Sequence, residues 1–486
     1  MRYPPRLVSG LLGGCAALGS SLLPCAPAGA AAGGPRASEQ VAQQLRDVAL
    51  DGQNIAWNWV RELTTRFGPR PAGSASEQQA AEWAAARLKA LGFVNVHLES
   101  FPLTAWVRGS ESAQLVSPAP QPLVVAALGE SPPTPAGGLE GEVVIFPTFD
   151  DLKAAAPGSL SGKIAMVDER MVRMQDGSGY AAAVAARADG PGEAARRGAM
   201  AFILRSVGTD THRLAHAGTT RYVDGRVPVP AFALAAPDAD QLERLAALGE
   251  TVRIRLFSSA SYVRDAHSQD VVADIRGRER PGEVVLLGAH LDSWDQGTGA
   301  IDDGAGTAII VAAARLIGEV PRRAPRRTVR VVLFGAEEVA QPGAPFGAFG
   351  GHAYADHHQA ELATHVLAGE SDLGADRVYR VALPRAVIDS AFARAVSRVL
   401  QPIGVLAARE PPQDAGTDVD PAVEAGVPAF QLSQDAAGYF DIHHTPDDTL
   451  DKIDREQLDQ NVAAWAALAW LAADSDVDFR THGPAR

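Results

Sequence analysis

The strongest constraint on the fold is a continuous apolar run, Val284–Leu287, that leads into a glycine-rich segment and then a helical one. The run is Val-Val-Leu-Leu, and it is followed by Gly-Ala-His-Leu-Asp-Ser-Trp-Asp-Gln-Gly-Thr-Gly-Ala-Ile-Asp-Asp-Gly-Ala-Gly over residues 288–306. A run without polar alternation is typical of a parallel strand that is buried on both faces. Residues 307–317 have the composition of a good helix. The sequence therefore predicts a strand–loop–helix unit of an α/β sheet.

Polar side chains lie at both ends of this glycine-rich segment. His290 and Asp292 directly follow the predicted strand, and open α/β sheets usually bind ligands at that end of their strands. Asp302 and Asp303 lie just before the helix, in a turn whose glycines permit unusual backbone angles. Either aspartate could simply cap the helix. A ligand site is favoured because more acids and two histidines follow downstream.

Three further groups of candidate ligands come later in the chain. They are Glu337 and Glu338 after the predicted strand 328–334, Glu370 and Asp372 after the predicted strand 365–368, and His443 and His444 in a loop near the C-terminus. Imidazoles together with several carboxylates are the ligand chemistry of two neighbouring divalent cations, with zinc, manganese or cobalt allowed. Such a pair needs a bridging carboxylate, and one carboxylate that stays free to carry a proton. The adjacent Glu337 and Glu338 can serve as proton carrier and ligand.

The motifs that contain these residues resemble the zinc metallopeptidase family M28. They are His290-Leu-Asp-Ser293, Asp302-Asp-Gly304, Ala336-Glu-Glu338, Glu370-Ser-Asp372 and His444-Thr-Pro-Asp-Asp-Thr449. Within the family they are most similar to the plasma glutamate carboxypeptidase subfamily. That similarity is carried by His290-Leu-Asp-Ser-Trp-Asp295, by Gly416-Thr-Asp-Val-Asp-Pro421 before Ala425-Gly-Val-Pro428, and by His443-His444. The resemblance extends over nearly the whole mature chain.

The resemblance implies a ligand set for two zinc ions per chain. His290 and Asp372 would hold one zinc, Glu338 and His444 would hold the other, and Asp302 would bridge both. Glu337 would be the general base and acid, and the metals would polarise the scissile carbonyl and generate hydroxide near neutral pH. The family also has a cis peptide between the two acids that match Asp302 and Asp303.

Four more residues are expected next to the metals or along the substrate site. Asp292 would orient the imidazole of His290 through its N–H, and Asp303, Asp418 and His443 would lie close by. His444 is preferred to His443 as the ligand because it gives the His-x-x-x-Asp-Thr spacing of the family. A packed, uncharged loop histidine is the alternative for His443. The loop after Glu338 is longer and richer in glycine and proline than the family pattern, which bears on specificity.

The expected fold is a mixed, mainly parallel α/β sheet flanked by helices, of the zinc aminopeptidase type. After residue 260 strands and helices alternate, which is the pattern of such a sheet. Residues 105–258 contain short strands between proline-rich connections and are expected to form an inserted domain similar to the protease-associated domain. Residues 33–104 and 259–486 would together form the catalytic domain. His216 of the insert lacks ligand-like spacing and is expected in a loop or core position.

The first 32 residues have the features of a secretory signal. Arg2 and Arg6 precede an apolar stretch, and small residues follow it. Both cysteines, Cys15 and Cys25, lie in this segment, so the mature chain would have no thiolate ligand and no disulfide. Anchoring as a lipoprotein through Cys15 is the alternative, and a short propeptide could follow the signal. The expected location is secreted or periplasmic.

The net charge and the motifs together restrict the classes of function that the chain can have. A formal net charge of −14 over 486 residues argues against nucleic acid or an anionic membrane as partner. We predict a homodimeric two-zinc exopeptidase that acts on dipeptides or short peptides, the homodimer being implied by the subfamily. A single-zinc enzyme of the glutaminyl cyclase type and a non-catalytic binding protein on the same fold are the alternatives. Spacing alone does not separate dipeptidase, aminopeptidase and carboxypeptidase.

Overall fold

The computed structural model describes residues 35–223, 225–342, 344 and 347–480, so the predicted signal segment lies outside them. The helices are α1 (Pro35–Leu50), α2 (Ala56–Phe67), α3 (Ala75–Ala90), α4 (Phe149–Ala154), α5 (Ser178–Arg196), α6 (Ala236–Ala247), α7 (Ala305–Gly318), α8 (Phe349–His357), α9 (Ala391–Leu400), α10 (Asp420–Glu424) and α11 (Arg455–Ala473). The strands are β1 (Val94–Val107), β2 (Glu111–Ser117), β3 (Gln121–Leu123), β4 (Val125–Ala127), β5 (Leu139–Phe146), β6 (Lys163–Val167), β7 (Ala201–Arg205), β8 (Ala231–Leu234), β9 (Arg253–Ser258), β10 (Ser261–Ile275), β11 (Arg280–His290), β12 (Arg327–Phe334), β13 (His365–Glu370), β14 (Val378–Ala382), β15 (Leu406–Ala407) and β16 (Gln431–Gln434).

The central sheet contains the apolar run 284–287 within β11. Its five strands lie in the order β1-β10-β12-β11-β13. β11 pairs in parallel with both β12 and β13, whereas the pairs β1–β10 and β10–β12 are antiparallel. Helices cover this mixed sheet, as predicted.

Alternate side chains of the two central strands pack on opposite faces of the sheet. Val285 and Leu287 belong to the larger core, which α7 and α11 cover. Leu286 and Val332 instead pack with residues of α8 and α10. Because helices lie on both faces, these strands need apolar side chains at every position, and the sequence shows no polar alternation there.

Parallel pairing brings the carboxyl ends of three strands to one edge of the sheet. His290 at the end of β11 pairs with Phe334 at the end of β12, and Gly288 pairs with Glu370 at the end of β13. The residues that follow these strands therefore converge at this edge, where α/β sheets bind ligands.

A second sheet is built from residues 111–258 and has a hydrophobic core of its own. Its eight strands lie in the order β3-β2-β9-β5-β6-β7-β8-β4, and β5 to β8 are paired in parallel. The short strands that the sequence indicates in this region are β5 to β8. The identification of these residues as an inserted protease-associated-type domain stays a prediction.

The glycines and the proline of residues 190–192 do not interrupt the helix in which they lie. The observed helix, α5, spans Ser178–Arg196 and contains Pro191 in its interior. Its alanine-rich first half strongly favours a helix. Gly190 lies directly against Phe202 of β7, where an added Cβ would be 2.2 Å from a ring atom. The glycines and the proline that suggest an interruption are thus accommodated by close packing of the helix on the sheet.

Helix starts follow the local sequence, with one difference. Ser74 Oγ accepts a hydrogen bond from the Glu77 N–H at 3.2 Å, which caps α3. The sequence Ser-x-x-Glu is typical of a capping box, but the Glu77 carboxylate accepts from the Gly73 N–H at 2.6 Å, so the second half of the box does not form. Asp454 caps α11 by accepting from two backbone N–H groups of the first turn.

The C-terminal helix α11 forms the centre of the larger core. Four apolar side chains at helical spacing are fully buried, namely Leu458, Val462, Trp465 and Leu468. Although α11 is apolar, none of the helices in the described part of the chain is long and apolar enough to cross a membrane.

We expect Trp465→Ala to lower the free energy of unfolding by about 3–5 kcal/mol, because it leaves a large cavity in the core. Trp465 is fully buried and its ring lies 5.2 Å from that of Phe430. Chemical denaturation of both proteins measures the loss. The exposed Leu248→Ala is the control and should change the free energy by no more than about 0.5 kcal/mol. Equal stability of the two variants would contradict the packing described here.

Candidate metal centre

The five residues predicted as metal ligands meet at the carboxyl edge of the central sheet. They are His290 at the end of β11, Asp302 before α7, Glu338 after β12, Asp372 after β13 and His444 in the loop after the short 3-10 helix Tyr439–Asp441. Four of them are at most 6% exposed, and the side chain of Asp372 is 19% exposed. Water can therefore compete only weakly for their oxygen and nitrogen atoms.

Asp302 lies between two imidazoles. Its Oδ1 atom is 3.1 Å from His290 Nε2, which is also 3.1 Å from Asp372 Oδ1. Its Oδ2 atom is 3.2 Å from His444 Nε2, which is 3.0 Å from Glu338 Oε2. The two oxygens of one carboxylate thus face two separate histidine–carboxylate pairs.

The backbone fixes which nitrogen of each imidazole is free. His290 Nδ1 is 3.1 Å from the carbonyl oxygen of Asp292, and His444 Nδ1 is 3.3 Å from that of Ala217. A carbonyl oxygen can only accept, so both Nδ1 atoms carry the proton. The Nε2 lone pairs of His290 and His444 therefore face the carboxylates, as they would in metal-binding histidines.

The donor set fits divalent zinc. Asp302 Oδ2 and Glu338 Oε1 are buried and accept no hydrogen bond from the described residues. Three groups of candidate ligand atoms each lie within 4.8 Å of one another; two of the groups contain Asp302, one with His443 and His444 and the other with His290 and Glu338. Buried oxygens without donors, together with imidazole nitrogens, are the ligands that zinc takes in proteins.

Asp292 acts differently from the prediction. Its backbone carbonyl, rather than its side chain, pairs with His290 Nδ1, and its Oδ1 atom is 3.6 Å away from that nitrogen. The carboxylate accepts from the N–H groups of Glu337 and Glu338 at 3.0 and 3.3 Å. Asp292 therefore connects the end of β11 to the acidic pair that follows β12.

Asp303, not Asp302, is the residue that caps α7. Its two oxygens accept from the N–H groups of Gly306 at 2.8 Å and of His290 at 3.1 Å. The peptide bond between Asp302 and Asp303 is cis, as the resemblance predicts. Asp303 also forms a candidate ligand group with His290 and Asp372.

Charged side chains bind both the N–H groups and the carbonyl groups of the loop that leads to Asp302. The carboxylate of Asp448 accepts from the N–H groups of residues 300–302 at 2.7 to 3.2 Å. Arg70, which the sequence analysis did not single out, is fully buried and donates to the carbonyls of Leu291, Thr298 and Gly299. Burial lowers the pKa of Arg70 to about 10. No motif marks this arginine, because its partners are backbone atoms far away in sequence.

His443 stacks on His444, with ring centroids 3.5 Å apart. The rings of Tyr180, Tyr439 and Phe440 surround it at about 5 Å. Burial holds the pKa of His443 well below its usual range, so the ring is neutral. Its Nε2 atom is 3.7 Å from an Asp302 oxygen.

Glu337 and Asp418 occupy very different positions. Glu337 is partly exposed next to Glu338, and burial raises the pKa of Glu337 well above its ordinary value. Asp418 is 1% exposed, accepts from the Gly351 N–H at 3.1 Å and donates its own N–H to Glu370 at 2.8 Å. Asp418 thus lies beneath Glu370 rather than along an open cleft.

Two residues of the second sheet reach the centre without any sequence signal. Arg187 of α5 lies 5.4 Å from the ring of Tyr180, and its Nη1 atom has no partner among the described residues. Burial is the largest cause of the lowered pKa of both His443 and His444, and the positive charge of Arg187 lowers the pKa of each further. His216 bonds the backbone of His443 at 2.7 Å, so it is a buried residue tied to the predicted site.

A neutral carboxyl group lies beneath the acidic pair. Glu77 of α3 is fully buried and accepts hydrogen bonds from the Ser268 hydroxyl and the Gly73 N–H. A Cβ on Gly335 would lie 2.9 Å from Glu77 Oε1. Burial raises the pKa of Glu77 to about 8, so the group is mostly protonated at neutral pH.

The comparisons with known proteins all point to one protein family. The model of Peptidase family M28 matches residues 270–469. Carboxypeptidase Q from Mus musculus is 34% identical over 440 residues, which is 90% of this chain and 90% of that protein. Carboxypeptidase Q from Homo sapiens is 32% identical over 438 residues, 90% of this chain and 89% of that protein.

Solved structures agree with the fold. The crystal structure of a Peptidase M28 precursor from Shewanella amazonensis SB2B has a TM-score of 0.88 and 43% identity, covering 93% of this chain and 100% of that chain. The zinc aminopeptidase BSAP from Bacillus subtilis has a TM-score of 0.60 at 21% identity, covering 87% of this chain and 95% of that chain, and shows likeness of fold alone. The predicted fold class is confirmed by these structures.

We expect Glu77→Gln to change how stability depends on pH. The unfolded chain releases the Glu77 proton near the ordinary pKa of 4.5, whereas the folded chain holds it up to about 8. The wild type should therefore lose stability relative to the variant between about pH 5 and about pH 8. Denaturation midpoints of both proteins across this range measure the effect. A constant difference between them would mean that Glu77 is ionised in the folded protein.

Proposed function

The chain belongs to peptidase family M28 and is a zinc metallopeptidase, and from this premise we propose that it is a two-zinc exopeptidase acting on dipeptides or short peptides. The observation that carries the proposal is the arrangement of Asp302 between two imidazole–carboxylate pairs. A carboxylate with each oxygen facing a separate ligand pair suits the bridge between two neighbouring cations.

Each proposed zinc has its own ligand pair. One ion would be held by His290 and Asp372, the other by Glu338 and His444, and Asp302 would be shared. When bound, the ions supply Lewis-acid polarisation of the scissile carbonyl and activation of the attacking water. The protein contributes fixed tautomers of both imidazoles and a buried surrounding in which these charges act strongly.

Glu337 is the proposed proton carrier. It lies beside Glu338 but belongs to none of the groups of candidate ligand atoms among the described residues. Asp292 holds its N–H at 3.0 Å, so the side chain starts from a fixed backbone position. A raised pKa of Glu337, caused by burial, suits a carboxyl group that takes a proton from water and then delivers it to the leaving amine.

The position of Arg187 favours the binding of substrates that carry a free carboxylate. The Nε atom of Arg187 donates to the Thr219 carbonyl at 3.2 Å, but its Nη1 atom is buried and has no hydrogen-bond partner among the described residues. A buried charge that lacks a full set of partners is costly. The carboxylate of a short peptide would provide two charge-assisted hydrogen bonds to such a group. Because the ring of Tyr180 contacts both Arg187 and His443, the carboxylate would bind on the side of the metals where His443 lies. His443 would then line the substrate site.

The organisation of the mature protein is part of the proposal. Residues 1–32 would be a signal peptide, and the enzyme would act outside the cytoplasm. Residues 105–258 would be a protease-associated-type insert between the two parts of the catalytic domain, residues 33–104 and 259–486. The active form would be a homodimer, as the resemblance implies.

We expect Glu337→Gln to lower kcat for dipeptide hydrolysis by about 10²–10⁴-fold while zinc stays bound, because the variant removes the proton carrier and leaves the ligands. Metal analysis should give two zinc ions per chain in both proteins. Glu250→Gln, at an exposed position, is the matched control and should leave kcat unchanged.

Other results of the same experiment would identify the alternatives. One zinc per chain together with cyclisation of N-terminal glutamine would indicate an enzyme of the glutaminyl cyclase type. Absence of both metal and turnover in the wild type would indicate a binding protein. Two zinc ions with full activity of Glu337→Gln would reject Glu337 as the proton carrier and keep the two-zinc centre.

We expect Arg187→Met to raise KM for a free dipeptide by about 10- to 100-fold, the value of one or two lost charge-assisted hydrogen bonds. KM for the same dipeptide with an amidated C-terminus should not change, because it has no carboxylate for Arg187 to bind. The exposed Arg244→Met is the matched control. An equal rise of KM for both substrates would show that Arg187 supports the structure and does not recognise the carboxylate.

A further inference from the structure

A segment of the second sheet, residues 206–219 between β7 and β8, lies directly against the loop that carries His444. The N–H of Thr209 donates to the Phe440 carbonyl at 3.0 Å, and the N–H of Ala217 donates to the His444 carbonyl at 2.9 Å. These contacts join residues more than 200 positions apart in sequence. We call residues 206–219 the contact segment.

The ring of His216 connects this segment to the loop. Its Nδ1 atom is 2.7 Å from the carbonyl oxygen of His443, and its Nε2 atom is 2.7 Å from Asp210 Oδ1. His216 is 1% exposed, and the side chain of Asp210 is 3% exposed. Both ring nitrogens are therefore used, so His216 cannot itself bind a metal or a substrate and acts through the groups it holds.

The packing around His216 fixes the position of the ring. The N–H of His216 donates to Ser206 Oγ at 3.0 Å. Gly208 lies flat against the imidazole, where an added Cβ would be 2.4 Å from ring atoms. The ring is thus held between a glycine, a carboxylate and a carbonyl.

The His444 backbone needs such support. Its φ angle is 60°, a conformation that residues other than glycine rarely adopt. The carbonyls on both sides of its nitrogen–Cα–carbon unit are bonded by the contact segment, that of His443 by His216 and that of His444 by Ala217. In return, the Ala217 carbonyl accepts from His444 Nδ1 at 3.3 Å and so sets the tautomer of the ring.

The contact segment also binds the backbone just after Glu338, the other unshared ligand of the same proposed zinc. Thr219 Oγ1 accepts from the N–H of Ala340 at 3.0 Å, two residues after Glu338. Glu338 and His444 are the two unshared ligands of one ion in the proposed centre. The partners of His290 and Asp372, by contrast, come from the central sheet and its own loops.

We propose that Asp210 and His216 are positioning residues for the zinc held by Glu338 and His444, and that the second sheet is therefore a structural part of that metal site. The inference rests on the proposed two-zinc function. It predicts an asymmetric effect: loss of the His216 contact weakens one zinc and leaves the other in place. A histidine that merely fills the core of the second sheet would not distinguish between the two ions.

The test compares His216→Leu, which removes both ring contacts, with His216→Gln, whose amide can still donate to the His443 carbonyl. His212→Ala is the matched control, because its exposed side chain belongs to the same segment. Zinc affinity is measured by competition with a chromophoric chelator, and kcat and KM are measured on a dipeptide. Asp210→Ala is the second variant, and it serves if His216→Leu does not fold.

We expect His216→Leu to bind the zinc held by Glu338 and His444 about 10- to 100-fold less tightly than the wild type does, as is typical when a metal ligand loses a supporting contact. The second ion should keep its affinity, kcat should fall and KM should change little. His216→Gln should recover most of the loss, and Asp210→Ala should show a smaller loss of the same ion.

Two outcomes would overturn the inference. Unchanged affinities and kcat in folded His216→Leu and Asp210→Ala would show that the pair does not position the site. Equal weakening of both ions, without recovery in His216→Gln, would show a general structural role. A wild type that binds fewer than two zinc ions would instead reject the proposed function, so the two failures are distinguishable.

Discussion

The constraint that dominates the candidate metal centre is the mutual repulsion of the buried carboxylates at the edge of the central sheet. Asp302, Asp303, Glu337, Glu338 and Asp372 are packed around two imidazoles, and burial raises the pKa of Asp303, Glu337 and Glu338 well above the ordinary values. Like charges this close cannot all be ionised unless cations lie among them. The site is therefore built to hold positive charge. Zinc provides it in a metallopeptidase, and the same repulsion explains why these acids require extensive support from the surrounding backbone.

That support comes from groups that bond the backbone rather than the ligands. Asp448 and Arg70 bond the N–H and carbonyl groups of the loop before Asp302. Asp292 holds the two N–H groups of the acidic pair, and Asp303 closes the first turn of α7. Each of these side chains removes freedom from a loop whose position decides where a ligand atom lies. The precision of a metal site depends on such contacts as much as on the ligands themselves.

The sequence was sufficient to predict which residues meet at the candidate metal centre but not everything that positions them. His290, Glu338 and Asp372 follow apolar strands with no polar alternation, and the rule that parallel strands end at one edge brings them together. Arg187 and His216 could not be predicted in the same way, because they contact backbone carbonyls and an aromatic ring at positions that no motif or spacing marks. The extent of α5 is hidden from the local sequence for a related reason, since glycines that suggest an interruption locally allow close packing with a distant strand. Contacts between sheets leave no periodic signal in the sequence.

The two sheets therefore contribute differently to the centre. The strands of the central sheet and the loops that follow them supply four of the five proposed ligands, and the fifth, His444, comes from the loop between β16 and α11. The region of the second sheet supplies the carbonyl of Ala217 that sets the His444 tautomer, the ring of His216 that holds the adjacent peptide, and the Nη1 atom of Arg187, which has no partner among the described residues. In the proposed enzyme, recognition of the substrate by Arg187 and the geometry of the proposed ligand His444 would thus depend on the same region of the chain. A change in how that region lies against the loop of His443 and His444 would then alter both together.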